Sequence, residues 1–224
     1  MALQARLESA PNGALGFDAS DKVDAAAAKT LVDAGFRFAT RYISRMGTET
    51  ADDLTTDEAQ TILDSGLALM VVQHVAPSGW QPNMALGEEY GVRAAENAGI
   101  VGLPTGMQLW LDLEGVAPGA SSTDVVQYCN AWFDAVTTAG FSTGLYVGSS
   151  AILTGDQLFH ELSTQAYWRS GSRVPDVSVR SYCMYQWISP FEALNRDFMV
   201  GGVGLDVDIV QTDLKGGTPL WLKA

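Results

Sequence analysis

Met107-Gln108-Leu109-Trp110-Leu111-Asp112-Leu113-Glu114-Gly115 sets Leu109, Leu111 and Leu113 in strict alternation with Trp110, Asp112 and Glu114. Side chains on a strand point to opposite faces in turn, so Asp112 and Glu114 project the same way, roughly 6.6 Å apart along the chain. The leucine face is wholly apolar, which requires cover on that side too. A strand covered on both faces belongs to a parallel sheet with helices outside it. Two carboxylates at the C-terminal end of such a strand stand where β/α barrels carry their chemistry.

The same logic extends in both directions. Ala14–Asp18 is a short apolar run ending in an acid. Phe36–Ser44, Leu67–Val75, Ser142–Gly148, Gln165–Trp168, Tyr182–Trp187 and Gly204–Val210 complete eight strand-like runs. Between them lie helical patterns: Asp21 to Gly35, Thr55 to Gly66, Ala85 to Ala98, Ser121 to Gly140 and a short Gly155 to Leu162. Thr55 with Glu58 has capping-box spacing, and Ser20 with Asp21 reads as a cap for the first helix. Residues 170–204 show no convincing long helix. Eight strands with intervening helices predict a single α/β (β/α)8 TIM-type barrel over residues 14–212, compact, with short or irregular helices in its last third. Residues 1–13 read as an N-terminal extension and 213–224 as a C-terminal tail. A doubly wound open sheet is the competing architecture, but no Gly-rich phosphate loop follows any strand.

Composition narrows the function classes. The chain has 224 residues, 47% hydrophobic and 17% charged, and a net charge of −13. With no Lys/Arg cluster, nucleic acid and anionic membrane surfaces are excluded as expected partners. Negative charge also repels an acidic polymer at long range. Residues 1–8 lack the apolar core of a signal peptide and no segment has transmembrane length. The expectation is a soluble protein, cytoplasmic as synthesised, with later release or virion association left open. Cys129 and Cys183 match no metal spacing and read as buried free thiols. No cofactor motif, zinc-ligand set or Gly-x-Ser-x-Gly elbow is present, so neither cofactor nor metal is expected, though clustered carboxylates can in principle take a hard cation.

Four acids fall at strand ends: Asp18, Asp112, Glu114 and Asp206. A single strand-terminal Asp usually caps a helix or forms a turn. Four converging on one barrel mouth suggest a catalytic set, because neighbouring buried carboxylates raise one another's pKa and supply an acid beside an ionised partner. The Asp112–Glu114 separation suits paired-carboxylate cleavage of a glycosidic bond. Aromatic residues offer platforms for the apolar faces of sugar rings. Tyr42, Trp80, Tyr146, Trp168 and Trp187, with His74, are the expected substrate-binding residues; Trp110, deep in its strand, reads as core. His74 also admits a purely structural, hydrogen-bonded role.

Gly16-Phe17-Asp18, Ala34-Gly35-Phe36-Arg37-Phe38 followed by Arg41-Tyr42-Ile43, and Leu103-Pro104-Thr105-Gly106 leading into Leu111-Asp112-Leu113-Glu114 resemble the bacterial glycoside-hydrolase-like barrel domain of unknown function. That domain is itself similar to family 25 glycoside hydrolases, the Chalaropsis-type lysozymes of many phage endolysins. Gly144-Leu145-Tyr146-Val147 and Ala166-Tyr167-Trp168 resemble later strands of those lysozymes. Tyr185-Gln186-Trp187 is similar to their Trp-Gln-Tyr strand with its order changed, and Leu205-Asp206-Val207-Asp208 to their closing Val-Asp-Leu-Asn, with Asp208 in place of the Asn. The resemblance implies Glu114 as general acid, Asp112 as its partner, and Asp18 and Asp206 as the remaining carboxylates. It implies a muramidase-like glycosidase acting on a bacterial cell-wall polysaccharide, peptidoglycan foremost. The alternative is a non-catalytic glycan-binding or structural barrel in a larger assembly such as a phage particle.

Overall fold

The computed structural model describes residues 3–47, 53–187 and 198–224. Its strands are β1 (Arg6–Ser9), β2 (Leu15–Ala19), β3 (Phe38–Ile43), β4 (Ala68–Gln73), β5 (Gln108–Leu113), β6 (Ser142–Val147), β7 (Tyr167–Arg169), β8 (Met184–Trp187), β9 (Met199–Val200), β10 (Val203–Gly204), β11 (Asp206–Val210) and β12 (Leu220–Lys223). The helices are α1 (Ala25–Asp33), α2 (Thr56–Asp64), α3 (Met84–Val101), α4 (Ser122–Thr138) and α5 (Gly155–His160).

Eight strands close into a TIM-type barrel. Strands β2 to β8 run parallel, each beside the next in sequence. The eighth, β11, closes the ring antiparallel to both β8 and β2. Among the described residues no helix follows α5. A parallel return would need a crossover of a dozen or more residues, usually helical. The β9–β10 hairpin immediately precedes β11. Because β11 runs backwards, its first residue, Asp206, lies at the end of the barrel where the parallel strands finish.

Strand alternation builds two cores. Phe38, Met70, Val72, Trp110, Trp168 and Met184 fill the barrel interior. Leu69, Val71, Leu109, Leu111, Leu113, Leu145 and Val147 face outward and pack beneath the helices with Leu31, Ile62, Trp132 and Phe133. The leucine face of the opening stretch is therefore the helix-facing side. Bulk inside is offset by small neighbours: a methyl group on Gly144 would sit 2.4 Å from the Trp110 ring. Helices α3 and α4 approach closely for a similar reason, since a methyl group on Gly87 would lie 2.1 Å from the Tyr128 carbonyl oxygen.

The chain ends join the same sheet. β1 pairs with β12, and β12 meets β4 at Leu222 opposite Leu69. Ala10, Ala14 and Trp221 belong to the interior core and stop the barrel at the end away from Asp206.

Two cap expectations are corrected. α1 begins later than its polar lead-in suggests: Asp24 is the cap and accepts from the Ala27 amide. Asp21 instead accepts from the Gly204 amide. Thr55 does accept from Glu58 N, but the Glu58 carboxylate does not reach back to complete the box. It takes hydrogen bonds from Val23 N at 2.9 Å and from the fully buried Arg41 at 2.7 Å. A buried guanidinium needs a carboxylate more than a helix end does. Both cysteines are free and buried.

Candidate functional site

The four acids meet at one mouth. Asp18, near the end of β2, is the register partner of Asp206 at the start of β11. Asp112 points inward from the end of β5 beside Tyr146 of β6. Glu114 follows one turn of the pleat later and packs over Gly148, where a methyl group would come within 2.4 Å of its Cβ. A pocket of about 220 Å³ is walled by Tyr42, Asp112, Glu114, Tyr146, Gln186 and Asp206, with Ser170 and Ser172. A second, of about 270 Å³, shares Tyr42 and Asp206 and extends past Asp18 to Asp21, Phe198 and Leu205. The two pockets adjoin at Tyr42 and Asp206, across the barrel mouth.

The carboxylates are held differently. Asp18 is buried yet well supplied with donors: Tyr42 Oη at 3.0 Å on one oxygen and Gln186 Nε2 at 2.9 Å on the other. Gln186 Nε2 also reaches Asp206 at 3.2 Å. The orientation of that amide is fixed from behind, because Tyr146 Oη donates to Gln186 Oε1 at 2.8 Å. Burial raises the Asp18 pKa to about 6, against the pull of the Gln186 and Tyr42 hydrogen bonds. Asp112 is pushed well above the usual carboxylate range by burial and then by the charges of Glu114 and Asp18. One Asp112 oxygen has no protein partner. Burial also raises Glu114, which is only half-buried and opens to the cleft. Tyr42 and Tyr146 are raised by burial and remain neutral donors. The mouth thus holds carboxyl groups of unequal proton affinity side by side, the arrangement that separates an acid from an ionised partner.

Of the residues expected to bind substrate, Tyr42 and Tyr146 line the pockets, and Trp80, Trp168, Trp187 and His74 do not. Trp80 lies behind them, its ring tilted against that of Tyr128 at 4.8 Å and its indole N–H donating to the Glu114 carbonyl at 2.8 Å. It holds the backbone that presents Glu114. Trp168 is 1% exposed and forms the floor, edge-on to Tyr146 at 4.6 Å. Trp187 alternates outward from Gln186 and is 52% exposed on the barrel's outer surface. His74 backs Tyr42, its ring stacked at 4.7 Å and its Nε2 2.9 Å from Asp53. Burial lowers its pKa, so it props Tyr42 as a largely neutral ring.

Two residues outside the expected set complete the cluster. Gln186 is signalled by its place in the Tyr185-Gln186-Trp187 stretch that resembles the lysozyme strand, and by being polar on the inward side of an aromatic strand. Asp208 is fully buried two residues inside β11 and accepts from Trp168 Nε1 at 3.0 Å.

Residues 29–208 match the Rv2525c-like, glycoside hydrolase-like domain. The chain belongs to that family. Solved structures agree on the fold of this Rv2525c-like domain. The Mycobacterium tuberculosis Tat-secreted protein Rv2525c, in complex with L-tartrate, superposes with a TM-score of 0.66 at 18% identity, covering 89% of this chain and 96% of that one. The bacterial lysozyme of Streptomyces coelicolor gives 0.61 at 15%, covering 90% and 93%. A muramidase from Trichobolus zukalii gives 0.60 at 16%, covering 90% and 95%. No curated protein matches the chain. Among the described residues no helix is long and apolar enough to cross a membrane.

Proposed function

We propose that this Rv2525c-like domain is a glycosidase that hydrolyses a bacterial cell-wall polysaccharide, peptidoglycan foremost, with Glu114 as general acid. The observation that carries the reading is the placement, at one barrel mouth, of a carboxyl raised by burial and a carboxylate held by two donors: Glu114 in one pocket and Asp18 in the adjoining one. Glu114 gives its proton to the glycosidic oxygen as the bond to the anomeric carbon breaks. Positive charge then develops on the sugar ring, and Asp18, ionised near neutral pH, stabilises it with Asp206 beside it; water adds to the anomeric carbon and its proton returns to Glu114, completing the hydrolysis. Asp112 stays protonated beneath Glu114 and limits the negative charge near it. Tyr42 and Tyr146 offer ring faces to sugar C–H groups. The likeness to a lysozyme and a muramidase supports this substrate class.

The test is muropeptide release and turbidity loss with purified peptidoglycan, comparing wild type with Glu114→Gln. The variant keeps the side chain's shape but has no transferable proton. Cleavage is expected to fall by roughly two to four orders of magnitude, with the thermal unfolding curve unchanged and glycan binding retained. Wild type that binds glycan at every pH but never cleaves it would point to a glycan-binding barrel instead. Full activity in the variant would remove Glu114 as the acid.

A further inference from the structure

Asp208 lies beneath the cleft, outside its walls, and the mechanism above does not use it. Its side chain is completely buried. One oxygen accepts from Trp168 Nε1 at 3.0 Å; the other has no protein donor. That second oxygen is the unusual feature, because a buried carboxylate oxygen without a donor is costly. The groups facing it from the packed elements are Asp18 on β2, Trp168 on β7, Gln186 on β8 and Asp206 on its own strand. The charges that bear on Asp208 are those of Asp18 and Asp206, both negative. Asp208 lies two residues along β11 from Asp206, the register partner of Asp18, and opposite Gly16, so the Asp208 and Asp18 carboxyl groups are diagonal neighbours on the inward face of the β2–β11 pair. Two carboxylate oxygens attract only when a proton lies between them. Asp18 already receives donors on both of its oxygens, whereas Asp208 receives one.

We propose that Asp208 is a positioning residue that keeps its proton at neutral pH and donates it to Asp18, giving that carboxylate a third donor. The pair carries one negative charge, on Asp18, at the side facing the cleft. Burial and the neighbouring charge favour the protonated form of Asp208, as the geometry requires. The proposal goes beyond the glycosidase reading and holds equally if the cleft only binds glycan.

The experiment compares wild type with Asp208→Asn, whose amide retains an oxygen for Trp168 and offers an N–H to Asp18. An infrared difference spectrum at pH 7, wild type minus variant, should show the carbonyl stretch of a protonated carboxyl group. A carboxylate band in its place overturns the proposal. The second readout is the melting temperature from pH 4 to 8. Wild type spends stability holding a proton that the unfolded chain releases, so the variant should gain on it as pH rises. The gain is about 3–5 °C per pH unit until Asp208 would ionise in the fold. A difference that is flat or falls with pH means Asp208 is ionised and overturns the proposal. Should Asp208→Asn not fold, carbon-detected NMR titration of wild-type aspartate carboxyls gives the same decision: a buried carboxyl still protonated at pH 7 in contact with Asp18 supports it, and none overturns it.

Discussion

Asp206 stands directly across from Asp18 in the register of an antiparallel strand pair, and a single amide nitrogen, Gln186 Nε2, donates to both. Two carboxylates facing each other on adjacent strands would ordinarily repel. Here the shared donor sits between them, and Tyr146 keeps the amide from turning over.

Gln186→Leu should therefore destabilise the fold by a pH-dependent amount. Leucine matches the volume but supplies no donor. At pH 7, with Asp18 ionised, the loss should be about 2–3 kcal/mol, the usual cost of a hydrogen bond to a charged group. At pH 4 it should be clearly smaller, because Asp18 is then protonated. Urea unfolding at the two pH values measures this; equal losses would mean that Gln186 acts by packing alone.

The barrel was legible because its signal is local. Period-2 alternation in Leu109 to Glu114 assigns both faces of β5 without reference to any other strand, and caps and glycines bound the helices. The direction of β11 was not legible, since it depends on how the chain returns after β8, where no helical period exists to read. The site divides along the same line. Asp112 and Glu114 announce themselves by spacing within one strand. Gln186 and Asp208 gain meaning only from strands that lie far away in sequence, Asp18 on β2 and Trp168 on β7. Trp80, Trp168 and Trp187 share composition with true cleft residues, and only register and packing tell a floor, a back wall and an outer surface apart.

The raised carboxyls predict an acid-shifted stability optimum. Asp18, Asp112, Glu114 and Asp208 all have folded pKa values above their unfolded ones. The folded protein thus holds more protons than the unfolded chain above about pH 4, and stability falls as pH rises through the folded values. For Asp18, a rise from 3.8 to about 6 corresponds to about 3 kcal/mol lost across that window. His74, lowered by burial, acts oppositely, withdrawing stability as pH falls below 6.5, but it is one group against four. Asp112→Asn, at a position with an oxygen lacking any donor, should flatten the decline and melt higher than wild type at pH 7. A wild-type optimum above pH 7 would contradict the buried, protonated cluster.

Leu111→Ala tests the assignment of faces. Leu111 is 2% exposed and belongs to the layer between barrel and helices. Removing it leaves a cavity in a region closed by α3 and α4, and the expected loss is about 2–5 kcal/mol. A chemical melt showing less than about 0.5 kcal/mol would place Leu111 at a surface and reverse the strand's faces.

Trp80→Phe separates support of the acid from simple packing. Trp80 packs tilted against Tyr128 and donates to the carbonyl of Glu114, and its backbone bridges to Val116 on the far side of Gly115. Phenylalanine retains much of the ring contact but leaves that carbonyl without its donor, at a cost of about 1–3 kcal/mol. The segment 114–116 should loosen, and Glu114 with it. If Glu114 is the acid, kcat on peptidoglycan should fall several-fold while KM changes little, because proton delivery tolerates misplacement less than glycan binding does. Loss of stability with kcat intact would confine Trp80 to the core, and an unchanged melting curve would mean that the indole hydrogen bond contributes nothing to holding Glu114.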